Sequence, residues 1–386
     1  MTRFVFALAV LTVACVVPSS AIAHTTPYTH FHMPYKELHQ SIGRAEAKLR
    51  SASIGTKEVG GRQAVLAVWN PAGNHNDIRL VYVRDGVSQT KGFTVQVRPW
   101  NGLAPRPGVD LYNGVNTRYA VTSPSDWYVL ALKTNTRTEP GAIYVPYNPA
   151  YQTPEIAAAG RSELIETVLA AEKIIARRNV KSTIRPDALV TDLLETSKDP
   201  TKLDADGRML LTLLLIEHMD VDEFRARGAV WTSEKVLVTL ALNGPRTYRY
   251  AVSSAGAGGL AQFIEPTYRD IQTRYPAAAL PTSFVDAMRN HVHAVIAQYC
   301  LMDRAFKTLT DTGFSVPTDR NLAGWYFAAA YNAGEHRAIP AYREYQRCVT
   351  AKRRGVRCTF SKGLPTETQN YVREYSAVYD HMFRKR

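Results

Sequence analysis

Glu217 ends an unusual run. It follows Leu211, Thr212, Leu213, Leu214, Leu215 and Ile216, so a helix through these residues would carry its carboxyl out of an apolar interior near the helix's C-terminal end. Burial penalises the charged form of a carboxyl, and the negative end of a helix acts in the same direction. A carboxylic acid that stays protonated near neutral pH can donate its proton to a leaving oxygen. Taken alone, a Glu in this place is more often a half-solvated end residue or a salt-bridge partner. Glu223 and Glu234 are rivals for the role, the former in the acidic stretch Asp220-Val221-Asp222-Glu223-Phe224.

Three further segments carry polar groups beside glycines or helix ends. The first is Ala251-Val252-Ser253-Ser254-Ala255-Gly256-Ala257-Gly258-Gly259-Leu260-Ala261-Gln262, followed by Pro266 and Thr267. Its glycines let the backbone turn tightly and approach a bulky ligand, and Ser253 and Gln262 are able to hold sugar substituents. A turn with Ser as its cap explains the same residues structurally. The second is Ala330-Tyr331-Asn332-Ala333-Gly334, a helix end closed by glycine, and the third is Glu367-Thr368-Gln369-Asn370-Tyr371-Val372.

In this order the four segments resemble those of the soluble lytic transglycosylase family, whose catalytic domain is lysozyme-like. The resemblance covers about 205–380. It implies cleavage of the β-1,4 bond between N-acetylmuramic acid and N-acetylglucosamine in peptidoglycan, with Glu217 as the single acid/base. Ser253, Gln262, Tyr331, Asn332 and Tyr371 would position substrate. The substrate's own N-acetyl group would stabilise the cation, in keeping with substrate-assisted exceptions to the two-carboxylate rule, and the product would carry a 1,6-anhydro-muramic acid end. The resemblance calls for no cofactor and no metal. A muramidase that hydrolyses the same bond, and a non-catalytic peptidoglycan-binding scaffold, are the alternatives.

The chain departs from the family pattern twice. His218 stands where the family has Ser, and 36 positions separate Glu217 from Ser253, against about nine in the family, under three helical turns. Val236–Leu242, Asn243-Gly244 and Thr247–Val252 predict an inserted β-hairpin that would fill the difference.

These groups need a frame, and the chain supplies two kinds of pattern. Leu38, Ile42, Ala45 and Leu49 have helical spacing within a leader over 24–57. Period-two runs follow at Ala64–Trp69, Ile78–Val83, Phe93–Val97, Tyr119–Thr122, Trp127–Leu132 and Ile143–Tyr147. They predict a small all-β domain, a sandwich or barrel, over 58–149. Trp100 and Trp127 could stack on sugars there, although strand aromatics are more often core. From Thr153-Pro154-Glu155 onward the pattern is helical, giving a mainly α domain over 150–386. Leu164, Ile165, Val168, Leu169, Ile174 and Ile175 mark its first helix, a second is expected to open near Asp204 or Asp206, and others to cover Phe284–Leu309, Leu322–Asn332 and Thr368–Phe383. The fold class is therefore α+β with two domains.

Residues 1–23 have the form of a signal peptide: Arg3, an apolar run over Phe4–Val17, and small residues at Ala21-Ile22-Ala23. This predicts a periplasmic or otherwise exported protein with no stable membrane span. The net charge of +13 over 386 residues suits polyanionic surroundings, which outside the cytoplasm means cell-wall polymer or lipid headgroups rather than nucleic acid. In an oxidising compartment Cys348 and Cys358 could pair around Arg353 and Arg354, leaving Cys300 as a buried thiol. His24, His30, His32 and His39 lack the acidic or Cys companions of a metal site and read as a polar leader.

Overall fold

Leu38, Ile42, Ala45 and Leu49 are all buried along one stripe of α1 (Tyr35–Ser51), as their spacing requires. The computed structural model describes residues 34–54, 63–72, 77–99, 117–134, 141–194, 202–249, 251, 253, 255–351 and 358–384. The expected signal peptide, His24, His30, His32, Trp100, Arg353 and Arg354 lie outside these residues.

Seven strands follow α1: β1 (Gln63–Trp69), β2 (Ile78–Arg84), β3 (Val87–Ser88), β4 (Thr94–Pro99), β5 (Thr117–Ser123), β6 (Tyr128–Thr134) and β7 (Ala142–Tyr144). Five of them form one antiparallel sheet in the order β3-β2-β1-β6-β7, and β4 pairs with β5 as a separate ribbon. The central strand β1 is buried on both sides, and its period of two sorts its residues between two cores. Val65, Ala67 and Trp69 join the apolar cluster that contains α1 and the later helices. Ala64, Leu66 and Val68 face the β4–β5 ribbon, packing with Val95 and Tyr119. Trp127 closes this second cluster, edge-on to Phe93 at 5.2 Å and beneath the Arg79 guanidinium at 5.0 Å.

The sheet is not a free-standing unit. Its inner face is covered by α1, which packs on β1, β2 and β6. Lys48 Nζ donates to the carbonyl of Ile78 at 2.6 Å. On the other side α1 reaches the helical half, where the Tyr35 hydroxyl donates to Ala241 O at 3.1 Å and Arg246 pairs with Glu46 at 2.5 Å. The leader helix thus bridges the β and α parts, and one apolar cluster runs through both.

The helical half comprises α2 (Pro154–Arg178), α3 (Ala205–Ile216), α4 (Val221–Asn243), α5 (Glu265–Arg274), α6 (Phe284–Met288), α7 (His291–Asp311), α8 (Arg320–Ala333), α9 (Glu335–Thr350) and α10 (Thr366–Phe383). Thr153 caps α2, and Asp204 caps α3 by accepting from Gly207 N at 2.8 Å. Every residue of α3 except Arg208 is buried, so this helix is the axis around which α2, α4, α7, α8 and α10 pack. The run expected as one helix over Phe284–Leu309 is two, because Asn290 turns the chain and caps α7 through His293 N.

The hairpin expected between Glu217 and Ser253 is absent. Val236–Leu242 is the buried second half of α4, and Asn243-Gly244 is its end, followed by a 3₁₀ turn over Gly244–Arg246. A short apolar run buried on all sides has no period that separates helix from strand. The side chain of Asn243 does pair with a backbone: its amide accepts from Val145 N at 2.9 Å and donates to Val145 O at 3.0 Å. α4 is kinked at Gly228, whose φ of 80° and ψ of 175° lie outside the helical region, a conformation open to glycine. Cys348 and Cys358 form a disulfide, and Cys300 is free and buried in α7.

Candidate active site

The apolar run of α3 does what its composition requires: Met209 to Ile216 fill the interior, and Glu217 takes the C-cap position. Its carboxyl is half-buried there, and α10 crosses α3 at this point. Tyr371, in the second turn of α10, donates its hydroxyl hydrogen to Oε1 of Glu217. Burial raises the Glu217 pKa to about 7, the Tyr371 hydrogen bond opposes the rise, and the nearby Glu374 carboxyl adds to it. With Oε1 accepting from Tyr371, Oε2 is the oxygen left to carry an acidic proton.

Tyr331, near the end of α8, lies within the field of Glu217; burial first, then that carboxyl, pushes its phenol well above the usual range. Burial and the charges of Glu217 and Glu374 do the same to Tyr371, with a contribution from Tyr331. Both phenols therefore remain hydrogen-bond donors. Tyr331 spends its hydrogen on Ala261 O, and its ring meets Phe263 and Phe327 edge-on.

The glycine-rich segment forms a loop clasped to this centre from two sides. Tyr331 holds Ala261, and His218 Nε2 lies 2.8 Å from Leu260 O. A carbonyl only accepts, so His218 carries its proton on Nε2. Its ring stacks flat on Tyr248, with centroids 3.5 Å apart and an interplanar angle of 1°. Burial, and secondarily His291, depress the His218 pKa to about 3 against the pull of the Leu260 carbonyl. His218 is thus a neutral strut between α3 and the loop. Within the loop Gly258 N donates to Phe263 O and Gly259 N to Ala251 O. Gly259 has a φ of 71°, and a Cβ there would lie 2.2 Å from Met288 O, so only glycine fits.

The structure brings together Glu217, Tyr331 and Tyr371, and places Gln262 beside the Ala261 carbonyl that Tyr331 holds. Gln262 is half-buried and donates Nε2 to Gly259 O at 2.7 Å, with a φ of 48°. Ser253 is not hydrogen-bonded to these groups: it is exposed, and its Oγ accepts from Ala255 N at 3.2 Å and Ala257 N at 3.1 Å, closing its own turn. Asn332 acts on the frame: its Oδ1 accepts from Thr368 Oγ1 at 2.8 Å, fixing the start of α10 to the end of α8. Glu223 is committed to Lys235 at 2.6 Å.

Sequence reasoning passed over Tyr248 and Glu374. Tyr248 reaches His218 only through space, which no local pattern reveals. Glu374 had a signal: it lies three positions after Tyr371 on α10, hence on the same helix face, and it is buried to 4% exposure.

The geometry amounts to a proton donor poised near neutrality, two protonated phenols and a tightly held loop. No protein-family model, curated protein or solved structure matches this chain.

Proposed function

We propose that this chain is a peptidoglycan lytic transglycosylase with a lysozyme-like catalytic half, acting in the periplasm or otherwise outside the cytoplasm, with Glu217 as its acid/base. The reading rests on one observation above the rest: the half-buried Glu217 carboxyl at the end of α3, held by the Tyr371 hydroxyl, its pKa pushed up to about 7 by burial. It is supported by the four sequence segments, three of which contribute to the same centre. No helix among the described residues is long and apolar enough to cross a membrane.

In the first step Glu217 gives its proton to the oxygen between N-acetylmuramic acid and N-acetylglucosamine, and that bond breaks. The carbonyl oxygen of the substrate's N-acetyl group closes on the anomeric carbon and takes up its positive charge. The Glu217 carboxylate then accepts the proton of the sugar's C6 hydroxyl as the C6 oxygen displaces the N-acetyl oxygen. The 1,6-anhydro ring forms, no water is consumed, and Glu217 regains its proton. One group thus serves as acid and then as base, which suits a pKa near the working pH. Tyr371 holds the carboxyl in line through both steps.

Digestion of purified sacculi with mass spectrometry of the soluble products tests this. Anhydro-muramic ends are expected; reducing ends would instead identify a hydrolase, and binding without soluble product a scaffold.

A further inference from the structure

A cavity of about 550 Å³ lies between α2 and the start of α7, and none of the residues around it belongs to the Glu217 centre. One wall is α2, which presents Glu163 and Glu166, three positions apart and so on one helix face. The other wall is cationic, with Arg246 and Arg249 after α4 and Arg289 just before α7. Arg246 is held by Glu46 at 2.5 Å. Among the described residues no ion pair spans the cavity, so the two α2 carboxyls face the arginines without touching them. Asn290 and His291, the cap and first residue of α7, also line it, and the positive end of this 21-residue helix adds to the arginine wall. His291 is buried to 4% exposure, with Nε2 2.7 Å from Thr247 O. Its Nδ1 has no hydrogen-bond partner among the described residues, an acceptor the chain itself leaves unmet.

We propose that this cavity is a second binding site, for an amino acid or short peptide with both termini free: the ammonium group lies against Glu163 and Glu166, and the carboxylate against Arg249, Arg289 and the start of α7. The inference goes beyond the cleavage reaction proposed for Glu217 and does not depend on it. Two walls of opposite sign call for a ligand that carries both charges. An anion alone would meet the α2 carboxylates, and a cation alone the arginines, an opposing charge in each case. A planar guanidinium matches a carboxylate through paired N–H donors. On the other wall burial, then the Glu166 charge, holds the Glu163 pKa above its ordinary value, and an ammonium group between the two acids relieves that repulsion. The volume also suits such a ligand, since small-molecule pockets measure about 300–1,000 Å³.

Calorimetric titration of the full chain with alanyl-alanine tests this, beside the N-acetylated dipeptide, the dipeptide amide and alanine. The dipeptide is expected to bind, and each blocked form, lacking one charge, to bind about tenfold more weakly or less. No binding of the dipeptide at millimolar concentration, or equal binding of the blocked forms, overturns the inference. Alanine separates the two sources: affinity equal to the dipeptide's assigns the site to amino acids, and lower affinity to peptides. Glu163→Gln and Glu166→Gln together locate the ammonium group, since neither carboxyl takes part in an ion pair among the described residues. The double variant should bind the free and the N-acetylated dipeptide alike, and a variant that keeps the parent's preference overturns the assignment. If the double variant does not fold, backbone amide shifts on titration of the parent replace it. They are expected at Asn290, His291 and Val292, and shifts confined to other residues overturn the inference.

Discussion

The Tyr371 hydroxyl donates to Glu217 Oε1 across 154 positions of chain, joining the fourth sequence segment to the first. A hydrogen bond to a carboxylate favours its charged form, so Tyr371 pulls against the burial that raises the Glu217 pKa. Tyr371→Phe keeps the ring and removes the donor. The alkaline limb of its pH profile should shift toward base. Its rate at the optimum should fall by about one to two orders of magnitude as the carboxyl loses its orientation, since bonds to charged groups contribute about 1.5–3 kcal/mol. Steady-state turnover of sacculi across pH measures both effects.

Glu217→Gln removes the transferable proton with little change of shape. A positioned acid contributes about 10²–10⁴-fold to rate, so release of soluble muropeptides should drop by at least two orders of magnitude while the circular dichroism spectrum is unchanged. Full activity in a folded Glu217→Gln protein would falsify the assignment.

Stability should depend on pH with a definite sign. Glu217, Glu374 and Glu172 each have a folded-state pKa near 7 against an ordinary 4.5, burial being the first cause in every case. Between those values the folded protein binds more protons than the unfolded chain, so stability is greatest below the lower value and is lost as pH rises through the folded one. Each group contributes a slope of at most about 1.4 kcal/mol per pH unit. The thermal midpoint should therefore fall between pH 5 and about 7.5 as far as these groups govern it, and Glu374→Gln should flatten the fall. A midpoint that rises across this window in both proteins would contradict the assignment of these carboxyls as buried and protonated.

What was legible in the sequence follows from how locally each signal is generated. Strand β2 shows in its alternation and β1 and β6 as short apolar runs between turn residues, and a cap at Asp204 or Asp206 with the apolar run after it places Glu217 at a helix end without further information. Helix α9 was missed because Pro340 lies inside it and its sequence is largely polar and aromatic. The second half of α4 was read as a strand because its burial on all sides erases the period. At the site, the partnership of Tyr331 and Tyr371 with Glu217 followed from segment order, a pattern of distant origin. The stacking of Tyr248 on His218 and the grip on Leu260 left no such trace. Ser253 read equally well as a ligand group or a turn cap, and its hydroxyl is bonded within its turn.

His218 tests whether the loop is held from the α3 side. It stands where the resembled family has serine, and its Nε2–H is bonded to Leu260 O while its ring lies on Tyr248. His218→Ala leaves that buried carbonyl without this donor, a loss of about 1–3 kcal/mol, and opens a space beneath Tyr248. Serine is too short to restore the stacking, so His218→Ser should be nearly as damaging. His218→Gln retains an N–H donor and should recover part of the loss. Because His218 is neutral in the folded protein down to about pH 3, whereas a histidine of the unfolded chain takes up a proton near 6.5, the parent loses this residue's share of stability on going from pH 8 to pH 5, so the three variants should lose less relative to the parent at pH 5 than at pH 8. Chemical denaturation at both pH values measures this, and hydrogen exchange at Gly258 and Gly259 should quicken in the Ala and Ser variants, since those amides hold the loop closed. A penalty as large at pH 5 as at pH 8 would mean that His218 takes up its proton in the folded protein as readily as in the unfolded chain, which would overturn its description as a neutral strut.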